Sequence, residues 1–336
     1  MRAYGNLTEL LIDRDREATS HRMLADRGMA PPLLGRFHNG LLYGYIPGKP
    51  CTPEDLTRKD VWRGVAQKLG EWHAKVPISA VVPVPPSQNG SAQHNHEARD
   101  GTTGTPHPSS IAARQPQPNI WSVMQNWINT LDTNSQAERE RRDILQQELK
   151  KSFKDLDSTS GIGQHGFVFA HCDLLSGNVI QLPSGPNATD PEDAFRPVTF
   201  IDYEYATPAP AAFDLANHFA EWAGFDLDYN SIPPSHVRQS FLEEYLSSYC
   251  KNANTNFSPS LVDELHERVN AYRGIPGLYW GIWALIQAKI SDIEFDYASY
   301  AEQRLQEYYD WRAQSDPARC KEVLGRSLRE RRWAED

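Results

Sequence analysis

Apolar positions along this chain recur at helical spacing in some stretches and gather into short runs in others. Residues from Arg14 to Arg27 predict a helix with Gly28 as its stop. Leu33 to Phe37 and Leu41 to Ile46 pair naturally as strands through Asn39-Gly40, a strong hairpin signal. Gly44 and the Ile46-Pro47-Gly48 break then mark a hinge. Thr52 offers a helix cap with Pro53 in the first turn, and Val61, Val65, Leu69 and Trp72 form an apolar stripe behind it. Phe167 to Ala170, Val179 to Leu182 and Val198 to Ile201 read as three buried strands. From Pro234 onward the pattern is mainly helical.

Three stretches break these patterns. Val82 to Pro118 is rich in Pro, Gly, Ser, Asn and Gln without apolar periodicity, so it predicts a disordered insertion. His94, His96 and His107 inside it have no fixed scaffold, and a structural reading without metal is preferred for them. Pro183 to Arg196 is a second polar loop. Gly161-Ile162-Gly163-Gln164-His165-Gly166 has the spelling of a dinucleotide-binding turn, but it precedes a strand instead of following one and opening a helix. A turn is the better reading. Arg326 to Arg332 reads as a solvated helix face and not as a membrane anchor.

Composition narrows the class only a little. A net charge of −10 argues against a nucleic-acid partner. Cys51, Cys172, Cys250 and Cys320 are too far apart for a Cys-x-x-Cys pair, so neither a disulfide framework nor a zinc site is expected. No apolar run reaches the ~20 residues of a spanning helix, and no signal peptide opens the chain, so no stable membrane insertion and a cytoplasmic location are expected.

The chemistry concentrates in His171-Cys172-Asp173-Leu174-Leu175-Ser176-Gly177-Asn178 and, after the next strands, Phe200-Ile201-Asp202-Tyr203-Glu204. Phosphoryl transfer needs a carboxylate to accept the acceptor hydroxyl's proton, and hard oxygen ligands for the magnesium that neutralises phosphate. Asp173 suits the first role; Asn178, five residues on, and Asp202 suit the second. Each residue alone reads as an ordinary turn or strand-end position. Their order, spacing and flanking apolar strands together favour the chemistry.

With these motifs, Phe213 to Trp222, Trp280 to Lys289 with Glu294 to Tyr297, and Arg2 to Gly5 with Ile12 to Glu17, the chain resembles the choline/ethanolamine kinase family, and within it the ethanolamine kinases. The resemblance runs from residue 2 to about residue 310. It implies an α+β, protein-kinase-like two-lobe fold with an incomplete amino-terminal lobe and a mainly helical carboxy-terminal lobe. Residues 1–48 are then the remnant of the first lobe with the hinge, and 49–336 the catalytic and substrate lobe. ATP is implied as co-substrate, Mg²⁺ as cofactor and a small amino alcohol as acceptor. Arg2 with Glu17 would orient the phosphates, and the hinge backbone at Tyr45 and Ile46 would meet adenine. His171 and Asp214 would support the loop. Glu204, Trp280, Trp283, Glu294 and Tyr300 would form the amine site.

Trp280, Trp283 and Gln287 share a helical face by spacing alone, which suits core packing as well as a cation cage. Leu174-Leu175 and Asp296 resemble ethanolamine kinases, where choline kinases tend to carry Gln and Gly. Choline or mixed activity is the alternative. Another hydroxyl acceptor, such as an aminoglycoside-type antibiotic, is disfavoured by the Trp-rich helix. Cys172, where the family commonly has Asn, and Thr207-Pro208-Ala209-Pro210, which alters the loop after Glu204, depart from the pattern. Kinase-like enzymes also cover the phosphates with two strands and a small-residue loop ahead of the strand bearing the basic residue. Because Met1 immediately precedes Arg2, an amino-terminal truncation is expected, and a shortened form without turnover is a further alternative.

Overall fold

The computed structural model describes residues 1–80, 118–156, 161–183, 195–315 and 325–336. Apart from Pro118, the expected insertion lies outside the described residues, as do residues 184–194 of the second polar loop.

Strand β1 (Arg2–Ala3) leads to helix α1 (Arg14–Asp26), which Asp13 caps by accepting the backbone N–H groups of Asp15 and Arg16. Strands β2 (Leu33–Phe37) and β3 (Gly40–Tyr43) then complete a three-stranded antiparallel sheet in the order β1-β3-β2. The second hairpin strand starts and ends earlier than its apolar pattern predicts, because Gly40 itself pairs with Ala3. A Cβ there would stand 2.2 Å from the carbonyl oxygen of Arg2, so β1 can lie against β3 only if residue 40 is glycine.

After Gly48, β4 (Lys49–Pro50) joins a second sheet, and Thr52 starts α2 (Pro53–Leu56) with a reciprocal capping box to Asp55. The apolar stripe falls on a separate helix, α3 (Lys59–Lys75), whose Val61, Val65, Leu69 and Trp72 are all buried. Helices α4 (Ile120–Thr130) and α5 (Gln136–Leu156) follow. Strands β5 (Val168–Ala170), β6 (Val179–Gln181) and β7 (Val198–Phe200) appear where the apolar runs predict them, shortened by a residue. The second sheet runs β4-β6-β7.

Thr207-Pro208-Ala209 corrects the sequence reading. It is not a loop but strand β8 (Thr207–Ala209), antiparallel to β5 with Pro208 opposite Phe169. A two-stranded ribbon has a free edge on each strand, so the missing proline N–H breaks no central ladder. Gly161 to Gly166 does form a turn, with Gly163 and Gly166 at positive φ.

The remaining helices are α6 (Ala211–Ala220), α7 (Ser235–Ala253), α8 (Pro259–Tyr272), α9 (Ile275–Ile290), α10 (Tyr297–Ser315) and α11 (Leu328–Trp333). Gly70 lets α3 approach α7 closely: a Cβ would lie 2.3 Å from the carbonyl oxygen of Tyr245. Trp72 anchors the core beneath the second sheet, stacked on Phe169 and donating its indole N–H to the Phe169 carbonyl at 2.7 Å. The basic tail is corrected in part. Arg326 and Arg331 are exposed as expected, but Arg329, Glu330 and Trp333 of α11 are buried, and Arg238 from α7 stacks on Trp333 while donating to its carbonyl oxygen at 2.8 Å. Among the described residues no helix is long and apolar enough to cross a membrane.

Candidate active site

The loop after β5 is held by one face of α6. Asp214, in the first turn, accepts the backbone N–H of His171 at 3.0 Å and of Cys172 at 2.7 Å. Asn217 donates to the Cys172 carbonyl at 3.0 Å, and His218 meets the Leu174 carbonyl through Nδ1 at 2.7 Å. Residues 214, 217 and 218 face the same way on a helix, so one buried face fixes the main chain on both sides of Asp173. Cys172 turns the chain at φ 63°, a region that a non-glycine residue enters only when its surroundings hold it there. Burial disfavours an ionised Asp214, but His73, at 3.0 Å, and the loop N–H groups outweigh it, so its carboxyl lies below the usual range. His218 is held neutral by burial, its pKa pushed down to about 4. Its Nδ1 faces a carbonyl and its Nε2 accepts from Trp222, so the proton belongs on Nδ1. Burial also lowers the pKa of His171, whose Nε2 meets the Ile201 carbonyl at 3.0 Å and ties the loop to the end of β7.

Strand pairing brings the other two predicted chemical residues alongside. Val179 of β6 faces Phe200 of β7, and the Ile201 N–H donates to the Asn178 carbonyl at 3.0 Å, carrying the pairing one step past the strands. Asn178 and Asp202 therefore emerge at the same end of the sheet. Asn178 donates its amide to the Asp173 carbonyl at 2.7 Å and to Asp173 Oδ2 at 3.0 Å, which leaves its side-chain oxygen outside these bonds. Asp202 sits at φ 67°. Asp173 is buried. Its burial, then the charges of Asp202, Glu221 and Glu204, push its carboxyl well above the ordinary range, against the hydrogen bond from Asn178.

Arg2 reaches this cluster from β1. It hydrogen-bonds to Asp202 and lies 2.5 Å from Glu204, while Glu17, its expected partner, is 3.6 Å away. Arg14 bridges Glu17 at 2.9 Å and Glu204 at 3.0 Å. Glu204 thus sits on the arginine side of the cluster. A small cleft, with room for about one water molecule, opens here, lined by Arg2, Glu17, His21, Tyr43, Asp202 and Tyr203 among others. Tyr45 is largely exposed and Ile46 half-buried, on the segment beyond the cleft.

Among the described residues Glu17, Asp202 and Glu204 pair with two arginines, Arg2 and Arg14, with the Asp173 carboxyl close by, an excess of acidic groups that a divalent cation would balance. Among the described residues no group of three His, Cys, Asp or Glu is disposed to hold a metal by itself. The donors that are present, one amide oxygen and one carboxylate, suit magnesium, which takes few protein ligands and completes its shell with phosphate and water.

On the other side of Asp173 the indoles are packed and satisfied. Trp280 donates to Asn217 Oδ1 and Trp283 to the Tyr205 hydroxyl, each at 2.8 Å, with the two rings 5.4 Å apart and nearly perpendicular. The aromatic run continues from Trp283 to Tyr297, Phe295, Tyr300 and Phe225, ending at two exposed rings, Phe225 and Phe295. Tyr300 is buried in this run, whereas Glu294 is exposed.

Sequence reasoning missed Glu221. It is buried just past the end of α6, it acts on Asp173, and Arg304 pairs with it at 3.1 Å. Burial raises its pKa and Arg304 opposes the rise. The available signal was an acidic residue inside the otherwise apolar run Phe219-Ala220-Glu221-Trp222.

The arrangement joins a buried carboxyl of raised proton affinity, an amide and a second carboxylate at the neighbouring strand end, two arginines, and the buried Glu221 on the side of the packed aromatic rings. A family model described as choline/ethanolamine kinase matches residues 1–309. The chain is 32% identical over 318 residues to the ethanolamine kinase of Drosophila melanogaster, a match covering 92% of this chain and 53% of that protein. Ethanolamine kinase 1 of Homo sapiens is also 32% identical, with 92% of this chain and 61% of that protein covered. The chain thus spans a little over half the length of these curated relatives. A solved ethanolamine kinase of Plasmodium vivax superposes with a TM-score of 0.64 at 20% identity, covering 96% of this chain and 77% of that one, a likeness of fold.

Proposed function

The chain belongs to the choline/ethanolamine kinase family, and from that premise we propose that it transfers the terminal phosphoryl group of ATP to the hydroxyl of ethanolamine. Phosphoethanolamine made this way would feed phosphatidylethanolamine synthesis. The observation that carries the reading is the buried Asp173, hydrogen-bonded by Asn178 and under the charges of Asp202 and Glu221.

In this reading Asp173 accepts the hydroxyl proton as the oxygen attacks phosphorus. Burial and neighbouring carboxylates make it more basic than an exposed aspartate, which suits that step. Asn178 and Asp202 would hold Mg²⁺, which would neutralise phosphate charge when bound. Arg2 lies in the same cleft and exchanges its contacts with Asp202 and Glu204 for phosphate oxygens. Glu17 and Arg14 keep the cluster in register, and the hinge backbone at Tyr45 and Ile46 takes the adenine. His171 and Asp214 fix the loop. Glu221 accepts N–H bonds from the ammonium, while Trp280, Trp283 and Tyr300 present ring faces, each attracting a cation by ~0.5 to 2 kcal/mol. Glu294 contributes long-range charge at the rim.

Ethanolamine is favoured because a buried carboxylate rewards an ammonium that still carries protons, which choline lacks. The aromatic run from Trp283 to Phe225 favours choline as the second reading. Purified protein incubated with Mg-ATP and either amine decides between them. Phosphoethanolamine well above an Asp173→Asn control supports the proposal. Preference for choline would replace the substrate, and no product from either amine would overturn the activity.

A further inference from the structure

Helix α11 lies beyond the residues that the family model matches. Its burial matters because a guanidinium leaves water only when carboxylates or carbonyls replace it. Arg329 and Glu330 are each 2% exposed. Arg329 donates through Nη1 to Glu330 at 3.1 Å and through Nη2 to the Arg273 carbonyl at 2.6 Å, and its Nε stands 3.6 Å from Glu307 Oε2. That same Glu307 oxygen lies 3.4 Å from Arg304 Nε, while Tyr229 donates to the other oxygen at 2.9 Å. Arg304 in turn donates to Glu221 at 3.1 Å, and Arg273 closes the far end on Glu330 at 2.9 Å.

The result is an alternating row, buried from Glu221 through Arg304, Glu307, Arg329 and Glu330 and ending at the half-buried Arg273. Three carboxylates face three guanidiniums, so the row is formally neutral. One end is the carboxylate beside Asp173 and the other is the tail helix.

We propose that Arg329 is a positioning residue for the amine site: by neutralising Glu307 it keeps Arg304 shared with Glu221, and so holds the Glu221 carboxylate where an ammonium group meets it. The inference rests on the reading of Glu221 as the ammonium acceptor. Among the described residues, loss of Arg329 leaves Arg304 as the guanidinium beside Glu307, and in a water-excluded interior that carboxylate draws Arg304 away from Glu221. Burial already disfavours the charged form of Glu221, so the loss of its guanidinium weakens its hold on a cation.

The test is steady-state kinetics of the full chain with ethanolamine and ATP varied separately. Arg329→Gln raises the ethanolamine KM about tenfold, with the ATP KM unchanged, and Arg329→Lys recovers most of the loss. The double variant Glu307→Gln/Arg329→Gln removes one charge of each sign and returns the ethanolamine KM toward the wild-type value. An unchanged ethanolamine KM in Arg329→Gln, or equal changes in both KM values, overturns the proposal. If Arg329→Gln does not fold, the double variant decides: a KM near wild type supports the proposal and a KM as high as that of Glu221→Gln overturns it. Glu221→Gln separates the two readings. If it leaves the ethanolamine KM unchanged, the amine-site assignment fails and takes this proposal with it; if it raises that KM and Arg329→Gln does not, only the role of Arg329 falls.

Discussion

Asp173 and Asp214 are both buried aspartates of one loop assembly, and their surroundings drive them in opposite directions. Asp214 receives two backbone N–H groups and His73, so its charge is stabilised. Asp173 faces other carboxylates with one amide in opposition, so its proton affinity rises. The first is a structural anion, and the second has the raised proton affinity that the proposed base requires. Removing the base while keeping its shape should therefore spare binding. Asp173→Asn is expected to lower kcat by about 10³, within the usual span for a positioned general base, with the ATP KM changed less than twofold. Single-turnover rates and equilibrium nucleotide binding check this; a parallel loss of nucleotide binding would show that Asp173 orders the site instead of reacting in it.

Elements position these groups through backbone approach. Helix α6 fixes the loop, β6 and β7 align Asn178 with Asp202, and β1 delivers Arg2. The last of these depends on Gly40, where a side chain would collide with the Arg2 carbonyl. Gly40→Ala is expected to push β1 off β3 and displace the Arg2 guanidinium. The outcome to measure is a rise of about tenfold in the ATP KM with the ethanolamine KM little changed, together with a modest drop in Tm. Equal effects on both substrates would mean that β1 supports the whole cleft. The three strand segments and the hairpin are legible in sequence because short apolar runs and Asn-Gly turns are local signals. Strand β8 is not, because Pro208 argues against a strand until one sees that its partner is a lone edge.

At the scale of the whole molecule, buried histidines couple stability to pH. His218 titrates near 4 when folded and near 6.5 when unfolded, so the unfolded chain binds more protons between those values. Its contribution is complete above about pH 6.5 and is lost progressively as the pH falls toward 4. The carboxyls of Asp173 and Glu221, pushed up by burial, act in the opposite sense, so the total pH profile mixes both. The stability gap between wild type and His218→Gln isolates the histidine. Between pH 7.5 and 5, denaturant unfolding is expected to show that gap narrowing by roughly 2 kcal/mol; a constant gap would mean that burial does not hold His218 neutral.

The residues on which the proposed chemistry rests were readable in the chain alone. Asp173, Asn178 and Asp202 lie in short motifs flanked by apolar strands, and fitness for a base or a magnesium ligand depends on residue type and local spacing. The family and its kinase-like fold followed from the same local patterns. Glu221, Arg304, Glu307 and Arg329 were not readable as a unit. They are separated by up to 108 positions from Glu221 to Arg329, and each alone resembles a charged surface residue. Only folding brings α10 and α11 against the end of α6 and removes water from between them. Whether a charge is solvated or must be answered by another is decided by that packing, because desolvation is a property of the surroundings and not of the residue.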